Sequence, residues 1–581
     1  MTVNQMDASV KADPTVHLEK GSQSEDSSDH GLPSDEKTDG KIPRVESTAE
    51  TDAFIDLMNA QLAPVEKRSS IFRPTFKDPR YFTWTMVLFA SMDGLLFGLD
   101  QSSISGANLT LPYDLGFTVR QQSLVNGLMP AGAVVGALLL SPVNEYFGRR
   151  GAIILSTILY TIGAALEAGA MDYAMMLSGR LVLGLGIGIE TGTVPVYVAE
   201  TVERRFRGNL VSLYQFNIAL GEVFGFVVAA IFIRVKGNWR YILGSSIVFS
   251  VIMFTGMLFL PESPRYLAHS GKTLEAFAVW KRIRGLNDPA SRAEFHIMVL
   301  SVEEREREKA NKTGGNHFAW LDLFRVPRAR RAFVYANTMM LLGQFVGING
   351  IMYYMSVLMT QIGFDPVTAV YMSMVGGGSL WLGTIPGILY MEKFGRRFWA
   401  NTMLPGFFIG LVLIGVSYTL DLVTQQTATV GLYITGLILY MGFYGTYACL
   451  TWVIPSEVYP TYLRSYGMTS STAMINLGNF VISYNFTGMQ EAMTKPGLTL
   501  GFFGGIAVIG WFYQMIFMPE TKNLTLGEID IVFSKPTKRL AQENISNVTK
   551  AASQIAHFRF KELFADVTKE RVELDREVFG H

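Results

Sequence analysis

The sequence is poor in cysteine and in charge. A single cysteine, Cys449, stands among 581 residues, so no intramolecular disulfide and no CxxC motif is available, which sets aside disulfide scaffolds, dithiol redox chemistry and zinc or other metal sites of that type. Charged residues make up only 17% of the chain, and Lys+Arg balance Asp+Glu at 49 each. That balance offers nothing to a nucleic-acid partner. No phosphate-cradling GxxxxGK[ST] loop occurs, and no nucleophile and base stand in a recognisable motif, so the chain does not read as an enzyme and implies no cofactor. What it has instead is apolar residues, 49% of the chain, with 56 glycines and 28 methionines. This composition predicts an all-α membrane protein with the lipid bilayer as its solvent.

Residues 1–80 are rich in Ser, Asp, Glu, Lys and Thr without a sustained apolar period, which predicts a disordered tail. Apolar runs of about 20 residues, the length a spanning helix needs, then recur. They lie near 82–104, 122–144, 151–171, 174–198, 208–233 and 240–260, and again near 332–361, 367–391, 398–420, 428–454, 464–488 and 497–518. The first run lacks a small-residue cleavage pattern and is expected to insert and stay. The division is a tail to residue 80, a six-helix half over 81–260, a linker over 261–331, a second half over 332–530 and a tail over 531–581. Within the linker, 274–283 and 300–310 have helical character and predict short bracing helices. Lys and Arg gather in one set of loops: Arg149 and Arg150, then Arg204, Arg205 and Arg207, then Lys393, Arg396, Arg397 and Arg464. That side, with both termini, is predicted to be cytosolic; Arg234, Lys236 and Arg240 on the other side are outvoted.

An internal repeat supports two halves. Glu200 to Arg207 has a counterpart in Glu457 to Arg464, Pro261-Glu262-Ser263 in Pro519-Glu520-Thr521, and the GRR beginning at Gly148 in the one beginning at Gly395, all in the same order and at nearly one offset. Two homologous halves place a ligand site between them near the bilayer midplane. Within the apolar runs, Asp100 is the residue that an inert span does not need. A charge at that depth costs about 2.5–3.5 kcal/mol on the lenient scale and usually serves transport.

These motifs together carry a resemblance. With EYFGRR and EKFGRR, SGRLVLGLGIG, PESPRYL, GQFVGINGIMYY and PETKNLTLGEID, the chain resembles the sugar porters of the major facilitator superfamily, and its long polar N-terminal segment looks fungal. The resemblance implies the major facilitator fold, 12 transmembrane helices in two pseudo-symmetric six-helix halves with cytosolic linker helices. It also implies a plasma-membrane carrier that imports a monosaccharide or related sugar by proton symport through alternating access. A facilitative sugar or polyol uniporter is the alternative, and a transport-silent sugar sensor a further one. The partners are a small sugar or polyol, protons and lipid.

Family matching puts Gln215, Gln344, Asn349 and Trp452 at sugar-binding positions; Tyr353 and Asn479 join them as amide and aromatic groups suited to hydroxyls and ring faces. Glu222 lies seven residues after Gln215, on the same helical face, as a further hydroxyl partner or a proton carrier. The family's usual glutamine pair is reduced to Gly343-Gln344, and an expected asparagine is Leu380, so a polyol, pentose or uronate is as open as a hexose. Asp100 matches the coupling aspartate of proton symporters and Arg180 its partner. Glu145, Arg149, Arg150, Glu200 and Arg207, with Glu392, Arg396, Arg397, Glu457 and Arg464, are expected to form ion-pair networks that latch the halves together in the outward-open state, the alternative being arginines that only set topology and snorkel to headgroups; Ser141 and Glu145 depart from the usual glycine and aspartate there. Asp93 and Glu190 fall outside the family pattern. Asn108 in NLT is a candidate glycan acceptor, the sequons at Asn311, Asn523, Asn544 and Asn547 are expected to stay bare, and Phe558, Phe560, Leu563 and Phe564 form an apolar patch suited to a membrane surface.

Overall fold

The computed structural model describes residues 49–66, 79–201, 207–311, 319–460, 463–522, 524 and 526–557. Its elements, in chain order, are α1 (Ala49–Glu66), α2 (Pro79–Ala107), the single turn α3 (Leu111–Asp114), α4 (Val119–Ala168), α5 (Tyr173–Thr201), α6 (Arg207–Phe232) and α7 (Asn238–Phe259). Four shorter helices follow, α8 (Pro264–His269), α9 (Thr273–Arg284), α10 (Pro289–Asn311) and α11 (Ala319–Arg325). The second series is α12 (Pro327–Phe345), α13 (Ile348–Tyr353), α14 (Met355–Gln361), α15 (Pro366–Phe394), α16 (Arg396–Ser417), α17 (Gln426–Val458), α18 (Arg464–Met493), a π-helical turn at Gly497–Phe503 leading into α19 (Gly504–Phe517), then α20 (Leu526–Ser534) and α21 (Thr537–Ala556).

Among the described residues, eight helices are long and apolar enough to cross a membrane, and α12–α13 with α14 make a ninth span bent by 71°. The 50-residue α4 would be about 75 Å long if straight, more than twice the bilayer core. It breaks at Gly148, whose φ of 77° favours glycine, and is two spans. Helices α2 and α18, of 29 and 30 residues, complete the twelve. Their apolarity is diluted by Asp93, Asp100 and Gln101 in one and by Asn476, Asn479 and Ser483 in the other, all buried inside the bundle.

Small residues let the helices approach, the packing mode of membrane bundles. Helix α5 runs between the two limbs of α4: a Cβ on Gly184 would lie 2.2 Å from the Met129 carbonyl oxygen of the first limb, and one on Gly186 2.7 Å from the Ser156 carbonyl oxygen of the second. In the second series α17 takes the same place, with Gly436 against Gly410 of α16 and Gly445 against Leu380 of α15. The two series meet where α2 packs on α13 and α14, α4 on α18, and α6 on α15.

The expectation of a disordered tail as far as residue 80 is corrected over 49–66. Helix α1 carries Ile55, Met58 and Leu62 on one face, and these are buried against Phe277, Trp280, Phe295 and Val299 of α9 and α10. Asp52 pairs with Arg292 at 3.0 Å and Thr51 with His296 at 3.1 Å. The spacing of three apolar residues in a polar stretch is a helical stripe whose partner lies over 200 residues away, so no local signal announced it. Residues 1–48 and the apolar patch at 558–564 lie outside the described residues.

Candidate functional site

Helix α12 ends at Phe345 and α13 begins at Ile348, with Gly347 between them at φ 90°; a Cβ there would strike the Phe503 ring at 2.5 Å. Only glycine makes this turn. The break brings Gln344 and Asn349 face to face, the Asn349 side-chain amide donating to the Gln344 carbonyl oxygen. Asn349 in turn accepts from Gln101 of α2 at 2.8 Å, a bond between the two halves. A second such bond joins Trp452 Nε1 of α17 to Gln215 Oε1 of α6 at 2.7 Å. Between these two bonds lies a cavity lined by Gln101, Gln215, Glu222, Gln344, Asn349, Trp452, Asn476 and Asn479 and by the apolar faces of Phe97, Ile218, Ile348, Leu380 and Ile475.

Six of the seven expected binding residues therefore line one cavity. Tyr353 does not: it is fully buried behind the wall, its hydroxyl 3.9 Å from Met129 Sδ, within reach of Asn479 on one side and of Asp100 and Arg180 on the other. Gln101, Thr191, Tyr444 and Asn476 line the cavity without having been anticipated. Gln101 follows Asp100 directly, and its neighbour drew the attention. At Gly343 the backbone carbonyl accepts from Tyr444 at 3.1 Å, and a Cβ would make only ordinary contact with the Tyr447 ring at 3.4 Å, so nothing local demands glycine there. Glu222 is 3% exposed, and its Oε2 has no hydrogen-bond partner among the described residues.

One turn behind the cavity, Arg180 Nη1 lies 2.8 Å from both oxygens of Asp100. The expected pair is in contact, but it is not alone. Glu167, from the second limb of α4, approaches the same nitrogen to 3.7 Å, and all three side chains are buried. Two carboxyls around one guanidinium leave a formal charge of −1 when every group is ionised. Glu167 carries no mark in the sequence, because it lies at the end of a helix outside any motif.

On the face that carries the two Gly-Arg-Arg turns, the repeated motifs form repeated structures. In the first half Glu262 accepts from the backbone N–H of Arg149 and Arg150 at 2.9 and 3.0 Å, Arg149 pairs with Glu200 at 3.0 Å, and Arg150 donates to the carbonyls of Met257 and Leu258 that end α7. In the second, Glu520 accepts from Arg396 and Arg397 N–H at 3.0 and 3.1 Å, Arg396 pairs with Glu457 at 2.7 Å and Glu392 at 2.8 Å, and Arg397 donates to the Met515 carbonyl near the end of α19. Every one of these bonds lies inside one half. Arg149 and Arg396 have carboxylate partners within their own half, and the Arg150 and Arg397 side chains cap carbonyls there. Glu145 is exposed and faces Tyr466 of α18 across the halves; Arg464 opens α18, and the side chain of Arg207 lies outside the description. Burial raises Glu200, but Arg149, Arg265 and the Ser263 hydroxyl together hold it below the ordinary glutamate value, whereas burial keeps Glu262 and Glu520 above it.

Asn108 is no surface acceptor. It is 3% exposed and donates to Asn126 at 3.2 Å and to the Tyr353 carbonyl at 3.1 Å. Asn544 is likewise buried, bonded to Arg397 and to the carbonyls of Ile516 and Met518.

The family model described as "Sugar (and other) transporter" matches residues 86–533. A myo-inositol transporter of Gibberella moniliformis is 63% identical over 518 residues, covering 89% of this chain and 90% of its own. A proton myo-inositol cotransporter of Homo sapiens is 29% identical over 537 residues, 78% and 82% of the two chains. The solved structure of a major facilitator proton:xylose symporter bound to 6-bromo-6-deoxy-D-glucose superposes with a TM-score of 0.67 at 23% identity, over 78% of this chain and 99% of that one.

Proposed function

Because the chain belongs to the sugar transporter family, we propose that it imports a cyclic polyol, myo-inositol first among the candidates, together with a proton by alternating access of its two halves. The observation that carries the choice of substrate is Glu222 in the cavity of a chain 63% identical to a myo-inositol transporter. A carboxylate accepts hydrogen bonds and donates none. Myo-inositol offers a hydroxyl donor at every ring carbon, whereas an aldose ring turns an oxygen acceptor to one edge, which a carboxylate repels. Gln215, Gln344, Asn349, Trp452 and Asn479 are the other contacts. The amides both donate and accept, and the indole and the apolar lining cover the CH face of the ring. Binding exchanges the Gln101–Asn349 and Trp452–Gln215 bonds for bonds to hydroxyls.

Coupling resides in Asp100, Arg180 and Glu167. One proton neutralises the cluster, and a neutral cluster closes into a dry interior at less cost than a charged one. Tyr353 connects this cluster to Asn479, hence to the ligand. A proton moving down 100 mV supplies about 2.3 kcal/mol, enough for roughly 50-fold accumulation. The arginine-rich face is cytosolic, the membrane is the plasma membrane, and the two motif networks hold each half rigid while Glu145 and the α18 end meet between them.

Uptake of a radiolabelled panel of inositol, hexoses and pentoses into cells lacking their own carriers, with external pH recorded, tests this for wild type and Asp100→Asn. Concentrative myo-inositol uptake with proton entry, lost in Asp100→Asn while exchange persists, is the expected result. Uptake that equilibrates and ignores pH makes the protein a uniporter; binding without uptake makes it a sensor.

A further inference from the structure

Asp93 and Glu190 have no part in the site described so far. Asp93 lies on α2, seven residues before Asp100 and so about 10 Å nearer the arginine-rich face; Glu190 lies on α5, ten residues beyond Arg180 and about 15 Å nearer the same face. The two helices bring them into hydrogen-bonding contact, both 0% exposed. None of their four carboxyl oxygens finds an N–H or hydroxyl donor among the described residues. Two contacting carboxyls in a dry interior cannot both be ionised, so the pair holds at least one proton between them. The titratable groups that face it are Tyr214 of α6 and Tyr160 of α4; from α7, α8, α9, α13, α14, α17 and α18, the other elements packed on these helices, no charged group reaches it among the described residues.

A second observation ties the pair to the ligand cavity. The Tyr214 hydroxyl is buried, reaches the Thr191 side chain, and lies beside Asp93 and Glu190. Its ring packs edge-on against Trp452 at 5.1 Å, the indole that bonds Gln215 in the cavity. Thr191, next to Glu190, lines the cavity itself. A ligand that moves Trp452 therefore moves the donor that the acid pair lacks.

We propose that Asp93 and Glu190 form a second proton-binding site, which takes up and releases a proton during transport and stands between the Asp100 cluster and the arginine-rich side. The proton leaves the Asp100 carboxyl, joins the ionised member of the pair, and a proton departs from the pair toward that side; charge and protons balance with no other reactant. The path from Asp100 rests on the symport reading, but the proton-holding pair is measurable without it.

Infrared difference spectra of the purified full-length protein in lipid, with and without myo-inositol, read protonated buried carboxyls through their C=O band. The expected result is a ligand-dependent band that disappears in Asp93→Asn, in Glu190→Gln and in the double variant, whose two amides keep the contact, but remains in Asp100→Asn. Counterflow exchange in proteoliposomes checks that these variants are folded. With exchange intact, proton-driven accumulation falls and the pH profile of uptake shifts in the pair variants. If the ligand-dependent band is the same in wild type and pair variants, the proposal is overturned even when wild-type accumulation upholds symport. If the band behaves as expected but wild type accumulates nothing, the symport reading fails while the proton site stands.

Discussion

Within the spanning helices the two halves carry different polar groups. Asp93, Asp100, Glu167, Arg180, Glu190 and Glu222 are all buried in the half built from α2 to α7, whereas the half from α12 to α19 brings Gln344, Asn349, Trp452, Asn476 and Asn479 to the cavity and, among the described residues, buries a charge only at Arg396, at the motif face. The proposed alternating access gives the difference a reason. Under it, a buried ion pair whose partners sat on opposite halves would be broken in every cycle, and leaving a buried charge without its partner costs about 3–5 kcal/mol. Amide bonds across the interface exchange partners for about 1 kcal/mol each. Charge therefore stays inside one half, and the bonds that cross between halves are between neutral groups: Gln101–Asn349 and Trp452–Gln215 at the cavity, and Asn108 to the Tyr353 carbonyl and the Ser356 N–H to Ser105 beyond it.

The strongest way to break this division is to strip the first half of its cation. Arg180→Met leaves Asp100 and Glu167 without their partner, an expected loss of about 3–5 kcal/mol, read as loss of folded protein by size-exclusion fluorescence. Asp100→Asn in the same chain removes one of the two carboxyl charges and restores folding but not accumulation. Failure of that rescue would mean that Arg180 is held by packing instead of charge.

In the second half the expected effect is smaller and of another kind. Asn349→Ala leaves Gln101 and Gln344 without partners, a loss of about 1–3 kcal/mol, or 5- to 150-fold in apparent affinity, while the number of protons entering per substrate stays the same. A change in that number would place coupling in both halves. Glu222→Gln, at the boundary, gives the amide a donor that can meet a ring oxygen. Competition assays are expected to show about a tenfold shift of preference from myo-inositol toward glucose, roughly 1.4 kcal/mol.

Much of this architecture was legible because membranes constrain sequence tightly. Span lengths, the repeated Gly-Arg-Arg and Pro-Glu motifs and the residues of the broken helix point to two halves with a site between them, and the structure brings Gln215, Glu222, Gln344, Asn349, Trp452 and Asn479 to one cavity. The unseen parts are relations between distant positions. Glu167 meets Arg180 only because α5 runs between the limbs of α4, and α1 finds α9 and α10 by a face that only the fold completes. The arginine motifs hid one relation: matched acids and bases at equal spacing are also what pseudo-symmetry gives when it builds the same unit twice, with the Arg149–Glu200 and Arg396–Glu457 pairs each inside one half.

That duplication allows the smallest test, since the motif carboxylates are of two kinds: Glu262 and Glu520, at equivalent turns, are both held above the ordinary value by burial, whereas Glu200, beside Arg149, is not. Glu200 is pushed up by burial but held below its ordinary value of 4.5 by Arg149, Arg265 and Ser263, so the folded protein favours its ionised form. Its contribution is present above pH 4.5 and is lost as pH falls through the folded value. Glu520 is raised, first by burial and despite Arg396, so the fold favours its protonated form; its contribution is full below 4.5 and is lost as pH rises through the folded value. Thermal melts of purified protein from pH 4 to 8 should then respond in opposite directions: Glu200→Gln flattens the acid-side fall in Tm, and Glu520→Gln flattens the fall toward neutral pH, each by no more than about 2 °C in a chain of this size. Equal responses on the same side would mean that the carboxylate facing Arg149 and the one accepting from the turn N–H groups carry charge alike, and that burial outweighs the ion pair at Glu200.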